Sequence, residues 1–182
     1  MRHGIHTAET KGWRALLLQA QTACGVHLST PVEEHLVGLL LAGAGAQTAL
    51  PPISALLNSG SGWQEKPAER GDRCLLYSGF YPEQLLDTGY ELAFFVRTGR
   101  EAYREHAQRH RCSRHEALAV EFVSALDVLL TLKVLHAGRP GIDALSAFRL
   151  WHDERSVYAR HVLSAMSQGS VVSEVSGSQL LH

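Results

Sequence analysis

A chain of 182 residues is long enough to bury roughly 70% of its unfolded surface around one core and too short to expect a second. Seventeen Lys and Arg against eighteen Asp and Glu leave a net charge of -1, which excludes a bulk magnet for nucleic acid and an acidic tail protein, so any electrostatic function is local. Three cysteines, Cys24, Cys74 and Cys112, are odd in number and stand at no ligand spacing; they exclude a disulfide framework and a C-x-x-C zinc site and fit a reducing cytosol.

In chain order, the N-terminus is polar, and the apolar run at residues 15–18 gives way to Gln19 and Gln21, too soon for a secretion signal. Trp13, Leu16, Leu17, Ala20 and Cys24 form the stripe of a first helix ending near Gly25. Thr30-Pro31-Val32-Glu33 then combines a capping Thr, a Pro at the first helical position and a Glu three residues on, and predicts a second helix from 31 to about 46. Pro51 and Pro52 stop any continuation; residues 53–57 have room for a short turn only, and the Ser/Gly stretch 58–62 is the expected mobile loop. Pro67 opens a third helix, broken around Gly79 or Pro82, and a further helix starts near Gly89 and reaches at least Ala107.

Ser113-Arg114-His115-Glu116 repeats the capping-box pattern. The helix it predicts places Leu118, Phe122, Leu126, Leu129 and Leu130 on one face and Val120 and Val128 on the other, so it is apolar nearly all round and belongs at the centre. Glu121, Asp127 and Lys133 interrupt this longest apolar segment and make it a poor membrane span. Residues 138–141 end it in a turn, and Asp143 caps a last helical region over 144–166, jointed near Asp153. Beyond Gly169 the sequence lacks a helical period. The expectation is an all-α, single-domain bundle of about six to eight helices with a buried central helix over residues 1–168, followed by a flexible tail over 169–182.

Residues 71–103 hold six aromatic residues, Tyr77, Phe80, Tyr81, Tyr90, Phe94 and Phe95, before the polar turn Arg97-Thr98-Gly99-Arg100 and Tyr103. The pattern G-D-x-x-L-x-x-x-G-F-Y at Gly71, Asp72, Leu75, Gly79, Phe80 and Tyr81, followed by Phe94, Phe95, Gly99, Arg100, Ala102 and Tyr103, resembles a family of soluble helical bacterial proteins with no established activity. The similarity is good over 71–103 and traceable from about 31 to 166. It implies a helical fold and leaves the activity open. Where that family tends to carry tyrosines, this chain has Phe94 and Phe95.

Eleven histidines make the chain unusual, and His106, His110 and His115 fall close together with Cys112 between them. One helical turn separates His106 from His110, so both imidazoles can face one metal, with Cys112 or His115 as a third ligand. On a helical wheel both fall near the apolar side, where a hydrogen-bonded core or interface histidine is the commoner outcome, and H-E-x-x-H and E-x-x-H are absent. Arg97, Arg100, Arg104 and Arg111 form a stripe within about 60° of one another, suited to phosphate or carboxylate unless Glu101 and Glu105 neutralise it. Asp72 is expected to pair with one of these arginines or to cap a helix. Ser59, Ser61 and Ser78 lack the G-x-S-x-G nucleophile elbow.

No catalytic motif emerges, and the sequence leans away from an enzyme. The favoured reading is a cytoplasmic, non-enzymatic interaction or regulatory module with no cofactor, a protein partner or a second copy of itself, and neither membrane nor nucleic acid as target. Its rival is a small-molecule-binding protein or enzyme with an internal pocket lined by Tyr77, Phe80, Tyr81, Phe95, Gly99, Arg100, Tyr103, Arg104 and His106. A third reading, an anion or nucleic-acid binder, rests on the arginine stripe.

Overall fold

The computed structural model describes residues 2–45, 66–138 and 141–177; the expectations for Pro51, Pro52, 53–57 and 58–62 lie outside them, as do Arg139 and Pro140 of the turn. The described residues form eight α-helices and no strand: α1 (Arg2–Cys24), α2 (Thr30–Gly45), α3 (Pro67–Gly79), α4 (Leu92–His110), α5 (Ser113–Val120), α6 (Phe122–Ala137), α7 (Ala144–Glu154) and α8 (Val157–Gly177). A 3-10 turn, Pro82–Thr88, joins α3 to α4. The all-α bundle expected from the periodicities is what the chain adopts. No described helix is long and apolar enough to cross a membrane.

The α6 helix is the axis of the bundle and packs against α1, α3, α4, α5 and α8. Its Phe122, Ala125, Leu126, Val128, Leu129 and Leu130 are fully buried, the result of apolar residues on every face. Asp127, in the same helix, is buried too. Its carboxylate accepts from Ser156 Oγ (2.5 Å) and from Val157 N (2.8 Å), an orphan donor at the start of α8, while burial pushes its pKa up to about 6.

Helix ends follow the sequence signals at Gly138, which adopts φ 68° and donates its N–H to Val134 O, and at Asp143, whose side chain accepts from Leu145 N and Ser146 N. The joint expected near Asp153 falls at Arg155, in the left-handed conformation at φ 60°.

Four details differ from expectation. The second helix takes Ser29, not Thr30, as its cap: Glu33 N bonds Ser29 O, and Ser29 N donates to Glu121 Oε2 at 2.9 Å, so a distant carboxylate does what the Glu33 of a capping box would. Cys112 rather than Ser113 precedes the fifth helix, its carbonyl accepting from His115 N and Glu116 N. That helix does not run on to Gly138. It breaks at Glu121 (φ -92°, ψ 13°), which lets Glu121 turn toward Ser29 and leaves Val120 77% exposed while Leu118 is buried. Finally, α8 continues past residue 169 to Gly177, since extending an established helix costs no new nucleation and needs no apolar stripe.

Candidate functional site

The α3 and α4 helices lie so close that glycine is required where they touch. A Cβ on Gly71 would stand 2.5 Å from the Tyr103 ring, and one on Gly99 would stand 2.5 Å from the Phe122 ring and 2.8 Å from Cys74 Cβ. Gly99 therefore serves close helix packing, its vacancy filled from α6 and α3. Tyr77 and Phe95 are buried in the core, Phe80 and Tyr81 stack edge to face on each other at 5.2 Å, and Phe95 meets Phe94 and Tyr90. These five expected pocket residues, Gly99 included, belong to the core and its margin.

Two of the four arginines of the expected stripe, Arg100 and Arg104, are paired. Arg100 Nη1 bonds Glu154 Oε2 on α7 at 2.5 Å and Arg104 Nη1 bonds Glu101 Oε2 at 2.7 Å, while Glu105 takes both Arg70 and Arg109. Half of the stripe is thus neutralised, Arg104 from its own helix and Arg100 from α7.

Tyr103 and His106, by contrast, enter a polar cluster that the sequence only half revealed. Asp72 Oδ1, on α3, accepts from Tyr103 OH at 2.7 Å and sits 2.7 Å from His35 Nε2 on α2. A carboxylate only accepts, so Nε2 carries the proton. Asp72 thus pairs with a histidine and a tyrosine, not with an arginine as expected. Burial first, then the Asp72 charge, raises the Tyr103 pKa well above its ordinary value and keeps the phenol protonated as donor.

Three more imidazoles adjoin this pair. The His106 ring lies 4.4 Å from His110 and 4.2 Å from His115, and His115 lies 5.9 Å from His35 and 5.8 Å from Tyr103, centroid to centroid. His115 Nδ1 is 3.1 Å from Cys112 Sγ. Burial and repulsion from His106 and His35 lower the His115 pKa to about 4; burial and His110 lower that of His106. His106 Nδ1 is buried and has no hydrogen-bond partner among the described residues.

The expected companions His106, His110, His115 and Cys112 are therefore neighbours. Among the described residues, however, no group of three or more His, Cys, Asp or Glu side chains is arranged to hold a metal ion. A metal binds in the plane of an imidazole along a nitrogen lone pair. Here the His106 and His110 rings lie tilted on one another, at an interplanar angle of 38° and a centroid distance of 4.4 Å.

His35 was missed because its partners are 37 and 68 residues away. The available signal was its place three residues after Val32 and four before Leu39, at the edge of the buried stripe of α2. No family model, curated protein or solved structure matches the chain.

Proposed function

We propose that this chain is a non-enzymatic interaction or regulatory module, and that its partner-binding face is the outer side of α7. One observation carries the reading. The inner residues Ala147 and Leu150 are buried, yet Leu145, Phe148 and Trp151, at i, i+3 and i+6, are 58, 49 and 37% exposed along the outer side, with Trp151 at the flank of the buried face. Tyr90, 47% exposed, extends the patch, since it lines with Leu145 and Arg149 a cleft of about 210 Å³. Helices rarely carry apolar residues on both faces unless both are covered.

The occupant we favour is a second copy of this chain. Arg149 pairs with Glu91 beside the patch and His152 with Asp153 at its far end, so the rim carries both signs and complements itself across a twofold axis. The three reduced cysteines fit a cytoplasmic setting, and the pattern at 71–103 supports a place among the helical bacterial proteins it resembles. Native mass spectrometry at micromolar concentration tests the assembly. A dimer is expected, converting to monomer in Phe148→Glu; a wild-type monomer, or a dimer that survives the substitution, overturns this reading.

The rival, a small-molecule site with chemistry, is favoured by one local observation, the approach of Cys112 to His115. The anion-binding reading loses support from the Arg100–Glu154 and Arg104–Glu101 pairs.

A further inference from the structure

The α5 helix has only eight residues and is held between two joints. Arg111, just before it, adopts the left-handed conformation (φ 50°), and Glu121, just after it, leaves helical geometry (ψ 13°) with its carboxylate turned to Ser29 N. Between these joints α5 rests on α4, α2 and α6, with Leu118 and Ala119 buried. The same contact gathers four imidazoles from three helices. His115 of α5 lies 4.2 Å from His106 of α4 and 5.9 Å from His35 of α2, and His106 lies 4.4 Å from His110, centroid to centroid. We propose that α5 is an acid-released segment: protonation of His106 and His115 forces the rings apart and unseats α5 from α4 and α2, while the core around α6 stays closed.

Neutral imidazoles pack on one another without repulsion, whereas each added proton sets a positive charge against its neighbours. His115 is faced by His106 and Tyr103 from α4, His35 from α2, Asp72 from α3, and Cys112 and Arg114 from its own segment, while Glu121, at the joint with α6, is engaged with Ser29. Asp72 is the carboxylate that opposes these charges, and its Oδ1 is already taken by Tyr103 OH and His35 Nε2, each at 2.7 Å. His106 Nδ1 is buried with no hydrogen-bond partner among the described residues, so a proton placed there meets no acceptor. Burial, His106 and His35 accordingly hold the His115 pKa at about 4, and burial and His110 lower that of His106. The closed form resists protons that an opened form accepts. Opening is therefore favoured as the pH falls from about 6.5, where a free imidazole titrates, toward 4.

The joints keep the opening local. The α4 helix ends at one and α6 begins at the other, so α5 can tilt without kinking either neighbour. Asp127, at the contact of α6 with α8, works in the opposite sense: burial raises its pKa to about 6, the folded chain holds the extra proton below that value, and acid steadies the α8 end while it loosens α5.

Native-state hydrogen exchange, followed amide by amide by NMR and corrected for the intrinsic pH dependence of exchange, is the test, at about pH 7.5 and about pH 5, the latter above the usual carboxylate range of about 4. Protection of residues 116–121 should fall at least about fivefold on acidification, the share of the His115 shift that survives solvent screening, while that of residues 125–134 in α6 holds. Replacing both rings, His106→Gln with His115→Gln, should abolish the fall. Should that variant not fold, the imidazole proton titration of the natural sequence decides: His115 charging well below pH 6.5 is expected, and charging at about 6.5 or above overturns the proposal. Unchanged protection in α5, an equal fall in α6, or a fall retained by the folded double variant overturns it as well. The α7 face takes no part, so the dimer test and this one fail independently.

Discussion

At its N-terminal end α4 buries Leu92, Phe95 and Val96, and in mid-helix Gly99 admits the Phe122 ring, whereas one turn past Tyr103 the same helix gathers His106 and His110 beside His115, with a buried nitrogen that has no hydrogen-bond partner among the described residues. The buried side chains of the first region are apolar and are specified by close packing. The second brings like-charging rings within 4.2–4.4 Å and holds two of them below their ordinary pKa values. Stability comes from the one. The other gathers polar rings whose charging burial and mutual repulsion oppose.

The largest break in that contrast is expected at Phe122. Phe122→Ala empties the space between α6 and Gly99 and should cost about 3–5 kcal/mol in a urea titration; a loss below about 1 kcal/mol would mean the centre collapses around the gap and is not specified by shape.

At the border of the two regions, Tyr103→Phe removes the donor to Asp72 while keeping the ring against Gly71. The expected cost is about 1.5–3 kcal/mol, the range for a hydrogen bond to a charged group, read from the same urea midpoint. A neutral outcome would assign Asp72 entirely to His35.

The smallest effect is the one that belongs to the cluster alone. With His115 at about 4 in the folded protein and about 6.5 when unfolded, the unfolded chain binds more protons between those values. Its contribution is fully present above pH 6.5 and is lost as the pH falls toward 4, by about 1 kcal/mol after allowance for solvent screening. Urea midpoints at neutral and mildly acidic pH should converge in His115→Gln; an unchanged slope would place the acid sensitivity elsewhere.

Legibility followed sequence distance. Stops and caps that depend on one residue and its near neighbours, Gly25, Gly138 and Asp143, stood in the sequence, and so did the buried α6, whose apolar residues need no partner to be recognised. Features set by tertiary contact did not. The break at Glu121 answers to Ser29, the partner of Asp72 lies on α2, and Ser29 replaces Thr30 as cap because a carboxylate from 92 residues away reaches it. The aromatic density of 71–103 carried no label distinguishing core from pocket: Tyr77 and Phe95 went to the interior, and only Tyr103 and His106 reached a polar site.

The bond from Ser29 N to Glu121 Oε2 also bears on the order in which the molecule assembles. Packing among α3, α4 and α5 links elements adjacent in the chain, but seating the start of α2 on the α5–α6 joint closes a loop of some ninety residues, whose entropic cost grows with the logarithm of its length. Docking of the α1–α2 pair is therefore expected on the late, downhill side of the folding barrier, which the folding and unfolding rates of a Ser29 variant would test. Mutations around Ser29 would then act on how fast the protein comes apart, leaving the speed at which it forms nearly untouched.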